Sequence, residues 1–429
     1  MGSCGRVFGM VRGVKRGHVF RHCLVFLLCG DTKLYRSPIC LGEPGGGTLA
    51  SKSYVIEIES EGDPMPDFVP GMDLAEAFFR EIIEPLVGEY HPQLEYTAAL
   101  IGSGSEVLGF DSEMSTDHDW GPRCMLFLRP QDLQAEREKI HFLLSSGIPP
   151  VFMGFSTNFT EPDPKDGGTQ ALEPVTHGPI RHRVEMFTLS QYFENYLGLD
   201  PGVKLEPVDW LVLPHQKLRA VCAGRVFRDD LGFEEIRERL SWYPRDIWLY
   251  VMACCWKRIG QEEHLMGRAG WAGDEIGSSL IGSRLVRDVM RLAFFMERKY
   301  PPYAKWFGSA FAELACAREM TPHLTKALHA QSWQQREASL VLAYEQLARM
   351  HNELGITDSL PVQVSQFWGR PFKVIHGEAF AEALTSRIQD ETIRALAKER
   401  PVGSVDLFSD DTDLLEDQTL VEALRGIYV

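Results

Sequence analysis

Between about residues 66 and 200, short apolar runs alternate with segments of helical period, and beyond Trp210 the alternation stops. That switch limits the chain to an α/β unit followed by a helical one. In the first part, Asp73-x-x-Glu76 has the form of a capping box, and Leu74, Phe78 and Ile82 recur every fourth residue as one apolar helical stripe. Pro85 is expected to kink or end that helix. Strands are expected at 96–101, 124–128 and 183–189, helices at 131–146 and 191–197, and a long Pro/Gly-rich loop at 155–178. From Trp210 onward, amphipathic segments at 233–240, 245–260, 274–299, 305–317, 332–353 and 377–397 predict an all-helical domain. The acidic stretch 406–417 is expected to be ordered and to fold back as a cap. The whole is an α+β chain with an N-terminal extension (1–63), an α/β domain (66–205) and a helical domain (206–429).

Charge narrows the partners. Asp and Glu number 60 against 44 Lys and Arg, a net charge of -16. Such a surface repels phosphate backbones, so a long nucleic acid is a poor default partner. The nine cysteines include no Cys-x-x-Cys and no zinc-type spacing, which reads as reduced thiols in a cytoplasmic protein. Up to Gly30 the chain is basic with no acidic residue, and its apolar run 19–29 is too short to span a membrane. The 1–63 segment reads as a poorly ordered extension whose basic character leaves organelle targeting open.

The chemistry lies in residues 100–119. Gly102-Ser103-Gly104-Ser105 ends an apolar run, and thirteen residues separate Ser103 from Asp117 of Asp117-x-Asp119. A turn of so little bulk lets backbone N–H groups approach phosphate oxygens, with a helix N-terminus expected just behind it. Two carboxylates at i and i+2 of a strand share a face, about 6–7 Å apart. They repel unless a cation lies between them, which suits a Mg²⁺ pair that also holds triphosphate oxygens. His118 is expected to face the other way, and Gly121-Pro122 to bend the strand.

The Gly-Ser turn, the spacing and Asp-x-Asp resemble the polymerase-beta-like nucleotidyltransferase superfamily. Phe68-Val-Pro-Gly-Met-Asp-Leu74, Thr116-Asp-His-Asp-Trp-Gly-Pro122, Gly273-Asp-Glu-Ile-Gly-Ser278 and Ser409-Asp-Asp-Thr-Asp413 resemble an uncharacterised branch, catalogued as a domain of unknown function, with a C-terminal helical domain. The resemblance implies a small mixed sheet with Asp117 and Asp119 as metal ligands. Glu185 would be the third carboxylate, acting as ligand or general base, with Glu106 and Glu113 as alternatives. It also implies that Gly102, Ser103, Gly104 and Ser105 bind the nucleotide and that two Mg²⁺ ions take part. The reaction implied is transfer of a nucleoside monophosphate from a nucleoside triphosphate to a hydroxyl acceptor, a small molecule by preference, with no membrane involved. An inactive nucleotide-binding module and a protein-adenylylating transferase are the alternatives.

Arg181, His182 and Arg183 stand just before Glu185, where they would steady a triphosphate or lie solvated. Arg284 and Asp288 have the spacing of a surface ion pair, and Lys305-Trp306-Phe307 that of a packed seam.

Overall fold

The computed structural model describes residues 67–200 and 202–428, together with the backbone of three strands near the N-terminus. Those strands, Gly5–Lys15, His18–Leu28 and Tyr35–Arg36, form an antiparallel sheet within a separate unit, Met1–Asp63. The expectation of a poorly ordered extension falls largely outside the described residues.

The second unit, Pro64–Val429, is built on a mixed four-stranded sheet. Its strands are β1 (Tyr96–Leu100), β2 (Arg123–Leu128), β3 (Arg183–Phe187) and β4 (Arg225–Asp229), in the order β3-β2-β1-β4. β1 runs antiparallel to β2 and β4, and β2 runs parallel to β3. The fold is α+β. Three strands follow from the sequence pattern. β4 does not: it lies inside the stretch expected to be purely helical, and its RVFRD sequence has no apolar run.

Alternation along the strands gives the sheet two covered faces. Ala98, Leu100, Cys124, Leu126, Val184 and Met186 pack toward the N-terminal helices. Those helices are α1 (Gly71–Phe78) and α2 (Glu84–Tyr90), joined by a π-helical turn Phe79–Ile83, and α3 (Pro130–Gly147). The helix therefore runs on past Pro85, which sits in the first turn of α2 where its missing N–H breaks no bond. The π turn adds one residue to the spiral. The buried stripe passes from Leu74 and Phe78 to Phe79, Ile83 and Val87, which leaves Ile82 half-buried.

Ala99, Met125 and Phe127 occupy the opposite face and join the core of the helical array. That array includes α4 (Leu189–Leu197), α5 (Pro207–Val212), α6 (His215–Ala223), α7 (Phe233–Leu240), α8 (Arg245–Trp271) and α9 (Glu275–Met296). After them come α10 (Phe307–Ala312), α11 (Ala317–Leu328), α12 (Trp333–Glu353), α13 (Gly377–Thr385) and α14 (Glu391–Glu399). The expected 377–397 helix is thus two helices, broken before the Asp390 cap. Among the described residues, no helix is long and apolar enough to cross a membrane. Arg284 pairs with Glu262 at 2.5 Å and not with Asp288, which is buried and reaches Arg258 at 3.3 Å. Contacts between α8 and α9 take precedence over the i,i+4 pairing.

The acidic stretch is ordered, as expected. It carries α15 (Val405–Phe408) and α16 (Thr412–Glu416), followed by α17 (Gln418–Ala423). Asp406 accepts the His215 backbone N–H at 3.0 Å, and Asp410 pairs with Arg287.

Glu263 of α8 holds the start of α13, accepting the backbone N–H groups of Ile375 and Gly377. Burial pushes its carboxyl up from 4.5 to about 7, although those N–H donors favour the charge. Between pH 4.5 and about 7 the folded chain keeps a proton that the unfolded chain has lost. Stability therefore falls as pH rises through that window, by on the order of 3 kcal/mol. Thermal melts across this range should show the decline, and Glu263→Gln should flatten it.

Candidate functional site

β1 is buried along its whole length, and the turn beyond it exposes Ser103. Two glycines set the turn that follows. Gly102 has φ +85° and Gly104 φ +144°, a region that residues with a Cβ rarely adopt. Space is also lacking: a Cβ on Gly102 would lie 2.6 Å from the Tyr192 hydroxyl, and one on Gly104 2.7 Å from Arg123 and Glu106 atoms. The Gly102 N–H donates to the carbonyl of Ala220 on α6 at 3.2 Å, so this amide faces protein. No helix begins behind the turn, contrary to expectation. The chain passes through Ser105–Gly109 as turns, closed by Phe110 N–H donating to Ser105 O at 2.9 Å. The physical reason is Glu106, which turns inward to a buried arginine and so draws the segment out of helical register.

That arginine is Arg123, the first residue of β2. Its Nε donates to Glu106 Oε1 at 3.0 Å and its Nη2 to Ser103 O at 3.0 Å, so it ties the turn to the sheet. Arg123 is 5% exposed and Glu106 3%. Burial works against the guanidinium charge. The carboxylates of Glu106, Glu185 and Asp119 outweigh it and hold Arg123 more basic than usual. Glu106 is therefore a partner of Arg123, while Glu113 is exposed in the next turn.

Asp117 and Asp119 do not lie on a strand, which corrects the extended reading of Asp-x-Asp. Glu113–Asp117 is a 3-10 turn with a Ser112/Ser115 capping box, His118 is extended, and Asp119 is left-handed at φ +50°. The strand starts only at Arg123, after the bend expected at Gly121-Pro122. Trp120 fixes this path: it is buried, its Nε1 donates to Asp111 Oδ2 at 3.0 Å, and its ring meets Phe68 and Phe155. Asp117 keeps 64% of its side chain exposed and pairs with His118 Nδ1 at 2.9 Å, so His118 faces its neighbour and not away. Asp119 is anchored at both ends. Its N–H donates to Gln170 O at 2.7 Å, and its carboxylate pairs with Arg183 and accepts Gln170 N–H at 3.3 Å.

Glu185 stands opposite Met125 across the parallel β2–β3 pairing, as Arg183 stands opposite Arg123. Arg183, Glu185 and Phe187 are half-buried on the face that α4 covers, while Val184 and Met186 are buried on the other. The Tyr192 hydroxyl from α4 is buried there without a partner. Burial first, then Tyr196 and Glu185, hold its phenol far above the ordinary value. Tyr196 lies one helical turn on, and its ring is 5.4 Å from the Lys217 ammonium. Lys217, 3% exposed, donates to Glu416 O at 2.8 Å. On another side, Phe110 stacks on Trp306 at 5.5 Å, the packing role expected for Lys305-Trp306-Phe307. Arg181 is exposed and pairs with Glu161 and Glu173.

The sequence reading missed Arg123, Tyr192, Tyr196 and Lys217. The Tyr192/Tyr196 spacing of one helical turn was legible, but nothing local tied it to the turn at Gly102. Among the described residues, no three His, Cys, Asp or Glu side chains stand close enough to hold a metal ion. Asp117, Asp119 and Glu185 are thus not a gathered triad, although Asp119 and Glu185 both act on Arg123. A separate cavity of about 490 Å³ between α8, α13 and α14 is lined by Lys257, Glu382, Arg394 and Lys398 among others, and includes none of these residues.

Residues 210–307 match a family described as a domain of unknown function (DUF4037), in agreement with the resemblance to an uncharacterised branch. No curated protein matches the chain. Among solved structures, the chain is similar to a nucleotidyltransferase-like protein from Exiguobacterium sibiricum 255-15, at 12% identity and a TM-score of 0.29. That match covers 65% of this chain and 77% of the other.

Proposed function

We propose that the chain binds a nucleoside triphosphate against the Gly102–Ser105 turn and transfers the nucleoside monophosphate to a hydroxyl acceptor, with Mg²⁺. A small-molecule acceptor fits the acidic net charge of -16 better than a long nucleic acid. One observation carries the reading. The glycine turn, Asp119 and Glu185 all reach the surroundings of a single buried guanidinium, Arg123, at one end of a mixed sheet. Carboxylates close to a glycine turn and a buried guanidinium support a site where cations and anions meet.

Asp117, Asp119 and Glu185 offer only oxygen, the donor a hard divalent cation takes, but as they stand they are not close enough together to hold one. The Arg183 guanidinium already stands at Asp119 as a cation. When bound, Mg²⁺ would neutralise charge on the attacking and leaving oxygens. Ser103, exposed in the turn after β1, binds the outer phosphates through its hydroxyl. Glu185 accepts the proton of the acceptor hydroxyl. Phe110 and Trp306 shield one side from water.

Calorimetry with each nucleoside triphosphate, with and without Mg²⁺, tests the reading. Metal-dependent binding that is lost in Asp117→Asn/Asp119→Asn is expected. Absence of binding to any triphosphate by the wild-type chain overturns it.

One observation favours a second reading, a nucleotide-binding module without turnover. Asp117 is largely exposed and Asp119 is engaged by Arg183, so the carboxylates are not gathered. Nucleotide binding without pyrophosphate release in the presence of any acceptor would identify it.

A further inference from the structure

The cavity of about 490 Å³ between α8, α13 and α14 shares no residue with the glycine turn, and its volume is that of a small-molecule site. Each helix gives it one face. α8 supplies Ala253, Cys254 and, one turn on, Lys257. α13 supplies Glu378 and Glu382, and α14 supplies Arg394 and Lys398. Residues four apart share a side of a helix, so the α13 wall is acidic and the α14 wall basic. The floor between them is apolar. Ala253 and Cys254 are buried, and burial pushes the Cys254 thiol up to about 12, so it is no nucleophile.

The walls do not close on each other. Among the described residues, neither Lys257 nor Lys398 forms an ion pair with Glu378 or Glu382. Other contacts fix the spacing. α13 is pinned to α8 by close backbone approach, since a Cβ on Gly377 would lie 2.4 Å from the Trp256 carbonyl oxygen. Asp246 of α8 holds the start of α14 by accepting the N–H groups of Gln389 and Asp390 at 2.7 and 2.6 Å. Arg394 is tied back to the carbonyls of Ile388 and Gln389. The gap therefore exists before any ligand arrives.

We propose that this cavity binds a small zwitterion of the free amino acid or dipeptide class. Its ammonium lies against Glu378 and Glu382, its carboxylate against Lys257, Arg394 and Lys398, and its apolar part over Ala253. A simple anion meets repulsion from the α13 wall, and a simple cation from the α14 wall and Lys257. A zwitterion satisfies both.

The full chain is titrated by calorimetry with the free L-amino acids and a panel of dipeptides. At least one is expected to bind, and its N-acetyl and C-amide derivatives to bind about 10-fold more weakly. Glu378→Gln/Glu382→Gln and Lys257→Gln/Lys398→Gln should each weaken the zwitterion about 10-fold or more. The first pair should leave the affinity of the N-acetyl form unchanged. Circular dichroism verifies the fold of both variants. The inference is overturned if no probe binds, if either derivative binds as tightly as its parent, or if a bound probe is indifferent to both folded variants. None of these outcomes depends on nucleoside triphosphate binding.

Discussion

Replacing Arg123 with methionine lowers the stability of the chain by about 3–5 kcal/mol at neutral pH. The Arg123 and Glu106 side chains are 6% and 3% exposed, so solvent screens neither, and removing the cation leaves a carboxylate buried without its partner. The same change frees the Ser103 carbonyl, so the Gly102–Ser105 turn loses its tie to β2. Urea denaturation of the full chain measures the loss. The double variant Arg123→Met/Glu106→Leu should recover most of it, because an apolar pair of similar volume replaces a buried ion pair at little cost. A single variant within 1 kcal/mol of wild type would mean that Glu106 reaches water or takes up a proton, and the turn would then be less rigid than its hydrogen bonds suggest.

Glu185→Gln lowers turnover by about 10²–10⁴-fold while the fold remains. The amide keeps the volume of the carboxylate on β3 and loses only its ability to take a proton or share a cation. Glu185 is half-buried beside Met125, so the substitution strands no fully buried charge. The measurement is pyrophosphate release from the preferred nucleoside triphosphate, assayed against a panel of small hydroxyl compounds. Equal rates for the two forms would remove Glu185 from the chemistry and point to the binding module without turnover.

Much of the fold was legible because apolar periodicity is local. The run at β1 is continuous and stops before Gly102, that at β2 follows Pro122, and β3 ends just before α4. The long helices α8, α9 and α12 announced themselves by amphipathic spacing. β4 was not legible, since it pairs with β1 by backbone hydrogen bonds that its half-polar sequence does not signal. The π turn in the first helix escaped as well. Whether a stripe shifts by one residue at Phe79 depends on what the sheet offers across from it.

The sequence by itself determined the chemistry available: a small-residue turn after a buried strand, two aspartates at close spacing, and a glutamate on a later strand. It also determined the α+β order and the ordered acidic tail. Only the tertiary structure decided how those groups meet. Side-chain position is set by nonlocal partners. Trp120 binding Asp111 forces Asp119 out of the strand, and Glu106 turning to Arg123 abolishes the helix behind the turn. Arg183, lying opposite Arg123 across a parallel pairing, reaches Asp119 from 64 residues away. Spacing along a chain fixes which charges exist, whereas burial and pairing in three dimensions fix which of them are neutralised.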